Sequence, residues 1–331
     1  MEGATGIDVS MLKGKKLLNM DSEEEGVMLA SCAGGCRADV KLPVERDTVS
    51  GTKLTVSLSG LTGGHSGSEI DKGRGNANAL MSRLLRDASA PVAIASIEGG
   101  RKDNAIPREC TAQIIVAPDE TAAVKASIEQ AAAEIAQEFK ASDPDLKLTV
   151  SEETDCSESA ISAKDSARVI ALIEALPNGI IRMSREIDKL VETSLNLGVL
   201  KSDDAAVTLR YAVRSSVGVA KKSLKNQLVC IAGAFAAEVT FEGDYPAWEY
   251  KKDSKLREDM VRIFEEMYGK KPTVEAIHAG VECGLLSGKI EGLDCISMGP
   301  DMYDIHTTEE RLSISSAKRS YEYILRVIAC K

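Results

Sequence analysis

Two rhythms of apolar and polar positions divide this chain. From about Ala38 onward, ADVKLPVERD and TKLTVSLSGL place an apolar residue at every second position. That is the period of antiparallel strands with one face on a core and the other in water. Before them, KKLLNMD and VMLASCAGG read as short buried strands separated by the acidic run DSEEEG. After them GRGNANALMSRLLRDA takes helical spacing, PVAIASIEGG and CTAQIIVAPD return to strands, and ETAAVKASIEQAAAEIAQEFKAS predicts a long amphipathic helix opened by acidic residues. A second run follows: the strand LKLTVSEET, the helix SARVIALIEAL, the strands VETSLNLGVLK and AAVTLRYAVRSS, the helix VAKKSLKNQLVCIAGAFAAE and the strand AEVTFEGDYP. Beyond Tyr245-Pro246 the helix SKLREDMVRIFEEMYG, the segment PTVEAIHAGVECGLLSGKI, the strand LDCISMGP and the helix SSAKRSYEYILRVIACK suit an α/β layer. The pattern predicts a discontinuous α/β domain, residues 1–37 and 246–331. It is interrupted by an inserted α+β domain, residues 38–245, made of two lobes with open-faced sheets.

Composition narrows the partners more than the fold. At 331 residues two domains are expected, and 44% hydrophobic with 28% charged residues is a folding composition. A net charge of −10 without a basic run argues against nucleic acid and favours a small-molecule or peptide partner. No stretch approaches the ~20 apolar residues of a membrane span, and MEGATGIDVS has neither the basic nor the apolar region of an export signal. The expectation is a soluble, cytoplasmic protein whose eight scattered cysteines are reduced and mostly buried.

Three histidines stand in small-residue motifs: His65 in GGHSG, His278 in HAGVECG and His306 in GPDMYDIHTTEE. His306 follows an apolar strand and a turn and precedes Glu309-Glu310, which would open a helix. Loops leaving the carboxyl edge of an α/β sheet commonly hold ligands, and an imidazole there suits zinc. Asp21 leaves KKLLNM and is either a helix cap or a carboxylate aimed into the same crevice. The glycines around His65 permit a sharp turn that brings out its ring, or serve the turn alone. Asn104 precedes Ile106-Pro107. Arg210 and Arg214, four apart, face one side of a strand, where one could fork onto a substrate carboxylate or both could be surface cations.

LLNMDSEEEG, ASCAGG, LTGGHSG, GRGNANALMSRLL, GGRKDNAIPRE, VETSLNLGVL, HAGVECGLLSGKI and DIHTTEER, in this order and spacing, resemble the aminoacyl-histidine dipeptidases of the M20 di-zinc exopeptidases. The resemblance covers nearly the whole chain. It implies an α/β/α zinc-peptidase domain, interrupted by a lid domain that also mediates homodimerisation, and hydrolysis of Xaa-His dipeptides by a zinc-activated water. Two zinc ions are implied per complete site, with Mn²⁺ or Co²⁺ as other metals the same donors would accept. Carried over by motif, Asp21 and His306 are metal ligands. His65 is the lid histidine that steadies the oxyanion in a partner's site. Asn104, Asn196 and Arg214 hold substrate, and His278, Gly280 and Glu282 form part of the pocket wall.

One departure limits that picture. The family's His-x-Asp motif and Glu-Glu pair are absent, there being no histidine before His65. The chain reads as the carboxy-terminal two-thirds or so of such an enzyme and is expected to be inactive alone. The alternative is a non-catalytic remnant that only dimerises or binds.

Overall fold

The structure, a computed structural model, describes residues 2–305 and 307–330. After a short helix α1 (Glu2–Gly6), strands β1 (Lys16–Asn19) and β2 (Val27–Cys32) enter one sheet. The chain then crosses to a second sheet with β3 (Gly34–Pro43), β4 (Arg46–Ser59) and a two-residue strand β5 (Gly64–His65). Helix α2 (Ala77–Arg86) is capped by Asn76, whose side chain accepts from the Asn78 and Ala79 amides, the local reason GRGNAN starts a helix. There follow β6 (Ala93–Gly99), β7 (Ala105–Ile106), β8 (Cys110–Val116), α3 (Thr121–Glu138), β9 (Lys147–Ile161), α4 (Ala163–Ala175) and β10 (Gly179–Met183). The second sheet and its helices are completed by β11 (Val191–Ser202), β12 (Ala206–Ser215), α5 (Gly218–Ala234) and β13 (Glu238–Tyr245). The first sheet is completed by α6 (Lys255–Tyr268), β14 (Thr273–Ile277), α7 (Glu282–Lys289), β15 (Asp294–Ser297), a hairpin of β16 (Met302–Tyr303) and β17 (Arg311–Leu312), and α8 (Ile314–Ala329).

The first sheet has the order β1-β15-β2-β14, with β1 parallel to β15 and β14 parallel to β2. On one face α6 and α8 bury Met260, Phe264 and Tyr323 against Met28 and Ile296. On the other, Cys283 of α7 joins Cys32, Trp248 and Cys295. Helices on both faces make the α/β/α layering. The larger sheet runs β13-β3-β12-β11-β6-β8-β4-β9, with β10 beside β11. Its strands alternate as expected: in β3, Ala38, Val40 and Leu42 are buried and Lys41 and Pro43 are not. The apolar face packs under α2, α3, α4 and α5 around Leu54, Ile114, Leu84, Val169, Leu209 and Leu228.

Two expectations need correction. The two lobe sheets are not separate, because Leu200↔Gly99 and Lys201↔Glu98 pair β11 with β6 and join them into one nine-stranded sheet over one core. The segment PTVEAIHAGVECGLLSGKI, to which the pattern assigns no single element, forms β14 and α7 with the His278 loop between them. The last helix does not open at Glu309. Residues 302–303 and 311–312 pair as a hairpin, and α8 starts at Ile314 behind the cap Ser313.

The crossings between sheets lie side by side. Cys32 and Trp248 exchange backbone hydrogen bonds of 3.0 and 3.1 Å. A Cβ on Gly34 would lie 2.4 Å from the Ala247 nitrogen, so only glycine lets the two crossing segments touch.

Candidate substrate pocket and metal edge

At the carboxyl edge of the four-stranded sheet, β1 and β15 run parallel in register Asn19↔Ser297 and release two loops together. Ser22 and Ser297 share a 2.7 Å hydroxyl hydrogen bond, the Met302 amide donates to the Glu23 carbonyl at 2.9 Å, and the Glu25 amide donates to Asp301 at 2.8 Å. A Cβ on Gly299 would stand 1.7 Å from the Ser22 carbonyl, so this junction requires glycine. Asp21 emerges from it exposed, and its carboxylate makes no hydrogen bond among the described residues. No helix follows Asp21, so it is not a helix cap. The acidic run behind it is partly neutralised: Arg319 forks onto Glu25 at 2.7 and 2.6 Å and holds that carboxyl below its ordinary range. His306 lies outside the described residues.

The loop 63–67 is shaped by a clasp. Glu69 accepts from the His65 amide at 2.8 Å and pairs with Arg74 at 2.8 Å. The Gly67 and Ser68 amides donate to His65 Nδ1 at 3.2 and 3.1 Å. Two N–H donors on Nδ1 leave the proton of the neutral ring on Nε2. Burial first, then the Arg214 charge, lowers the pKa of His65, with Glu69 opposing.

His278 reaches across the two sheets. It is buried, and its Nε2 shares a 2.7 Å hydrogen bond with the Ser194 hydroxyl of β11. Burial and then Arg214 push its pKa down to about 4, so the ring is neutral at pH 7. A Cβ on Gly67 would meet the His278 carbonyl at 2.6 Å and the His65 ring at 2.9 Å. The lid loop and the 278 loop are therefore in direct contact. Gly280 lies half-buried beside it, and Glu282 opens α7, where a helix N-terminus favours an acid.

Arg214 acts on both histidines. Its Nε is buried without a partner, and its Nη1 has only a 3.4 Å contact to the Tyr245 hydroxyl. It makes no ion pair among the described residues, whereas Arg210, its partner in spacing, is forked onto Asp39 at 2.8 and 2.7 Å. The two arginines thus part company: Arg210 is structural and Arg214 is an unpaired cation. Arg214 and Asn104 line a cavity of about 250 Å³ together with Arg37, Asp103, Glu242 and Tyr245.

Asn196 has a different place from the one expected. It is buried, its amide donates to the Asp103 and Ala105 carbonyls at 2.9 Å each, and its oxygen accepts from Asn76 at 3.1 Å. With both amide hydrogens donated inside the protein it braces the Asn104 loop, and its oxygen keeps one acceptor site. The structure thus brings together His65, His278, Arg214 and Asn104. Ser194, Tyr245 and Asp103 were missed; Ser and Tyr in strands carry no spacing cue, and it is the pairing of Ser194 with Arg214 across β11 and β12, of Arg214 and Tyr245 with Gly35 of β3, and the loop after β6 that bring them in.

Among the described residues no three His, Cys, Asp or Glu side chains gather closely enough to hold a metal ion. Six of the eight free cysteines are buried, with Cys230 exposed and Cys330 between. No described helix is long and apolar enough to cross a membrane.

Residues 56–143 match the peptidase dimerisation domain of the M20 type. The chain is 33% identical over 320 residues to the cytosol non-specific dipeptidase of Escherichia coli (strain K12), covering 96% of this chain and 66% of that one. The chain therefore spans slightly less than two thirds of that curated relative's length. It superposes on the aminoacylhistidine dipeptidase of Vibrio alginolyticus with a TM-score of 0.92 at 32% identity, over 99% of this chain and 68% of that one. The chain belongs to the aminoacyl-histidine dipeptidase family of M20 peptidases.

Proposed function

We propose that this chain forms the lid and part of the metal-bearing domain of a cytoplasmic metallo-dipeptidase that cleaves Xaa-His dipeptides. The observation that carries the reading is Arg214: a cation with no ionic partner among the described residues, lining a cavity with Asn104 and near enough to His65 and His278 to lower the pKa of both. Such a group calls for an anion, and the free carboxylate of a short peptide supplies one. Arg214 and Asn104 would fix that carboxylate, and hence the length of peptide accepted.

His65 would then act on the neighbouring peptide carbonyl. Its Nε2–H can donate to the oxygen as negative charge develops there, and its lowered pKa keeps it a neutral donor. In this structure the ring lies beside the chain's own His278; action in a partner's site belongs to the proposed homodimer formed through the matched 56–143 region.

A divalent metal, zinc above all, would supply the activated water. Asp21 suits it in kind, being an exposed carboxylate at a sheet edge with no hydrogen bond among the described residues, and His306 is the second proposed ligand. Two donors do not complete a di-metal site, so the 331-residue chain is proposed to be inactive by itself. The test is to join it to the part of the Vibrio alginolyticus chain that it leaves uncovered and assay Ala-His hydrolysis with Zn²⁺. Chelator-sensitive turnover by the joined protein and none by the 331 residues alone is the expected result. Turnover by the 331 residues alone would refute the proposed division, and an inactive but folded joined protein would favour a remnant that only dimerises or binds.

A further inference from the structure

Two neighbouring hydroxyls on β11 are spent differently. Thr193 pairs with Ser215 of β12 at 2.9 Å, inside the nine-stranded sheet. Ser194, on the opposite face of the strand, meets His278 Nε2 at 2.7 Å, so its hydroxyl ties that sheet to the loop between β14 and α7. Both residues of this contact are buried, and the other ring nitrogen of His278 is buried without a hydrogen bond. Ser194 is thus the side-chain anchor of the ring, and with it of the backbone at residue 278.

That backbone is what the His65 loop rests on. Gly67 lies so close to it that an added Cβ would stand 2.6 Å from the His278 carbonyl and 2.9 Å from the His65 ring. The same row of the sheet holds Arg214. Ser194 and Arg214 are directly opposed across β11 and β12, so their side chains leave one face with Cβ atoms about 5 Å apart. One row therefore carries Arg214 itself and, through His278 and Gly67, the support of His65.

We propose that Ser194 is a positioning residue for the dipeptidase reaction, which through His278 fixes His65 at its working distance from Arg214. This rests on the roles given to His65 and Arg214 above. Ser194 acts through His278 and touches neither peptide nor metal. Without its hydroxyl, Arg214 and Asn104 still hold the carboxylate, while the 278 loop and His65 move away from the carbonyl. The loss then falls on kcat and spares KM, because misplacing a reacting group by about 1 Å costs up to about 100-fold in rate.

The coupling is read first in the 331-residue protein, without turnover, from the imidazole nitrogen resonances of its histidines by NMR. Ser194→Ala is expected to move the signals of both His278 and His65. In the joined protein described above, Ser194→Ala should lower kcat for Ala-His about 10–100-fold and leave KM within about twofold. Ser194→Cys keeps the side-chain size with a weaker hydrogen bond and should fall between wild type and Ser194→Ala in both measurements; it carries the test by itself should Ser194→Ala not fold. If the His65 signals stay in place while those of His278 move, or if the folded variants lose stability with kcat unchanged, the hydroxyl is merely structural and the positioning role is wrong, while the dipeptidase reading stands. A loss carried by KM overturns the role in the same way. If the folded joined wild type has no turnover, the dipeptidase reading fails and the role of Ser194 with it.

Discussion

His278 joins the two sheets through a ring that must stay neutral. Its pKa near 4 lies below the ordinary 6.5, so the folded state resists a proton that the unfolded state accepts. The sign follows: the contact is fully favourable above pH 6.5, weakens as pH falls, and has lost its whole contribution once pH passes below about 4. The shift corresponds to about 3 kcal/mol. Thermal melting between pH 7 and 4 should show a steep loss of stability, and His278→Asn should flatten it; an unchanged slope would show that His278 does not report this linkage. Gly67 is a second sensitive position. Gly67→Ala places a methyl 2.6 Å from the His278 carbonyl, so the lid loop must move. A cost of about 1–3 kcal/mol is expected by denaturant unfolding, together with a rise in the His65 pKa, followed by NMR, as the ring leaves Arg214. At this scale the sequence shows which histidines stand among glycines. It cannot show that Arg210 finds Asp39 and Arg214 finds no acid, because that depends on which residues lie opposite on β3.

Among elements, the local patterns were legible: the two-residue alternation of β3 and β4, the helix in GRGNANALMSRLLRDA and the long helix α3 all stand where the sequence placed them. The joining of the lobes was not, since two pairs between β11 and β6 leave no periodic trace. Nor was the brace at Asn196, a polar residue in the buried run VETSLNLGVL whose partners lie about ninety residues away. Asn196→Leu would leave the Asp103 and Ala105 carbonyls buried without a donor, a loss of about 1–3 kcal/mol each. Hydrogen exchange should then speed up in residues 103–106 ahead of the rest of the lid; uniform exchange would show that the amide does not hold that loop. Gly299 has the matching role at the sheet edge. With a Cβ 1.7 Å from the Ser22 carbonyl, Gly299→Ala should separate the Asp21 loop from the 298–305 loop, read as loss of protection at Ser22 and Met302.

For the molecule as a whole, the match of residues 56–143 to a dimerisation domain sets the expectation of a homodimer. Sedimentation at micromolar concentration should give twice the 35.3 kDa chain mass, and a monomer would contradict it. The most direct measurement is Ala-His hydrolysis by the chain joined to the uncovered part of its Vibrio alginolyticus relative, in wild-type, Asp21→Asn, His306→Ala and Arg214→Met forms. The account predicts zinc-dependent turnover that Asp21→Asn and His306→Ala abolish through lost metal, while Arg214→Met acts mainly by raising KM. Undiminished turnover in both Asp21→Asn and His306→Ala would contradict it.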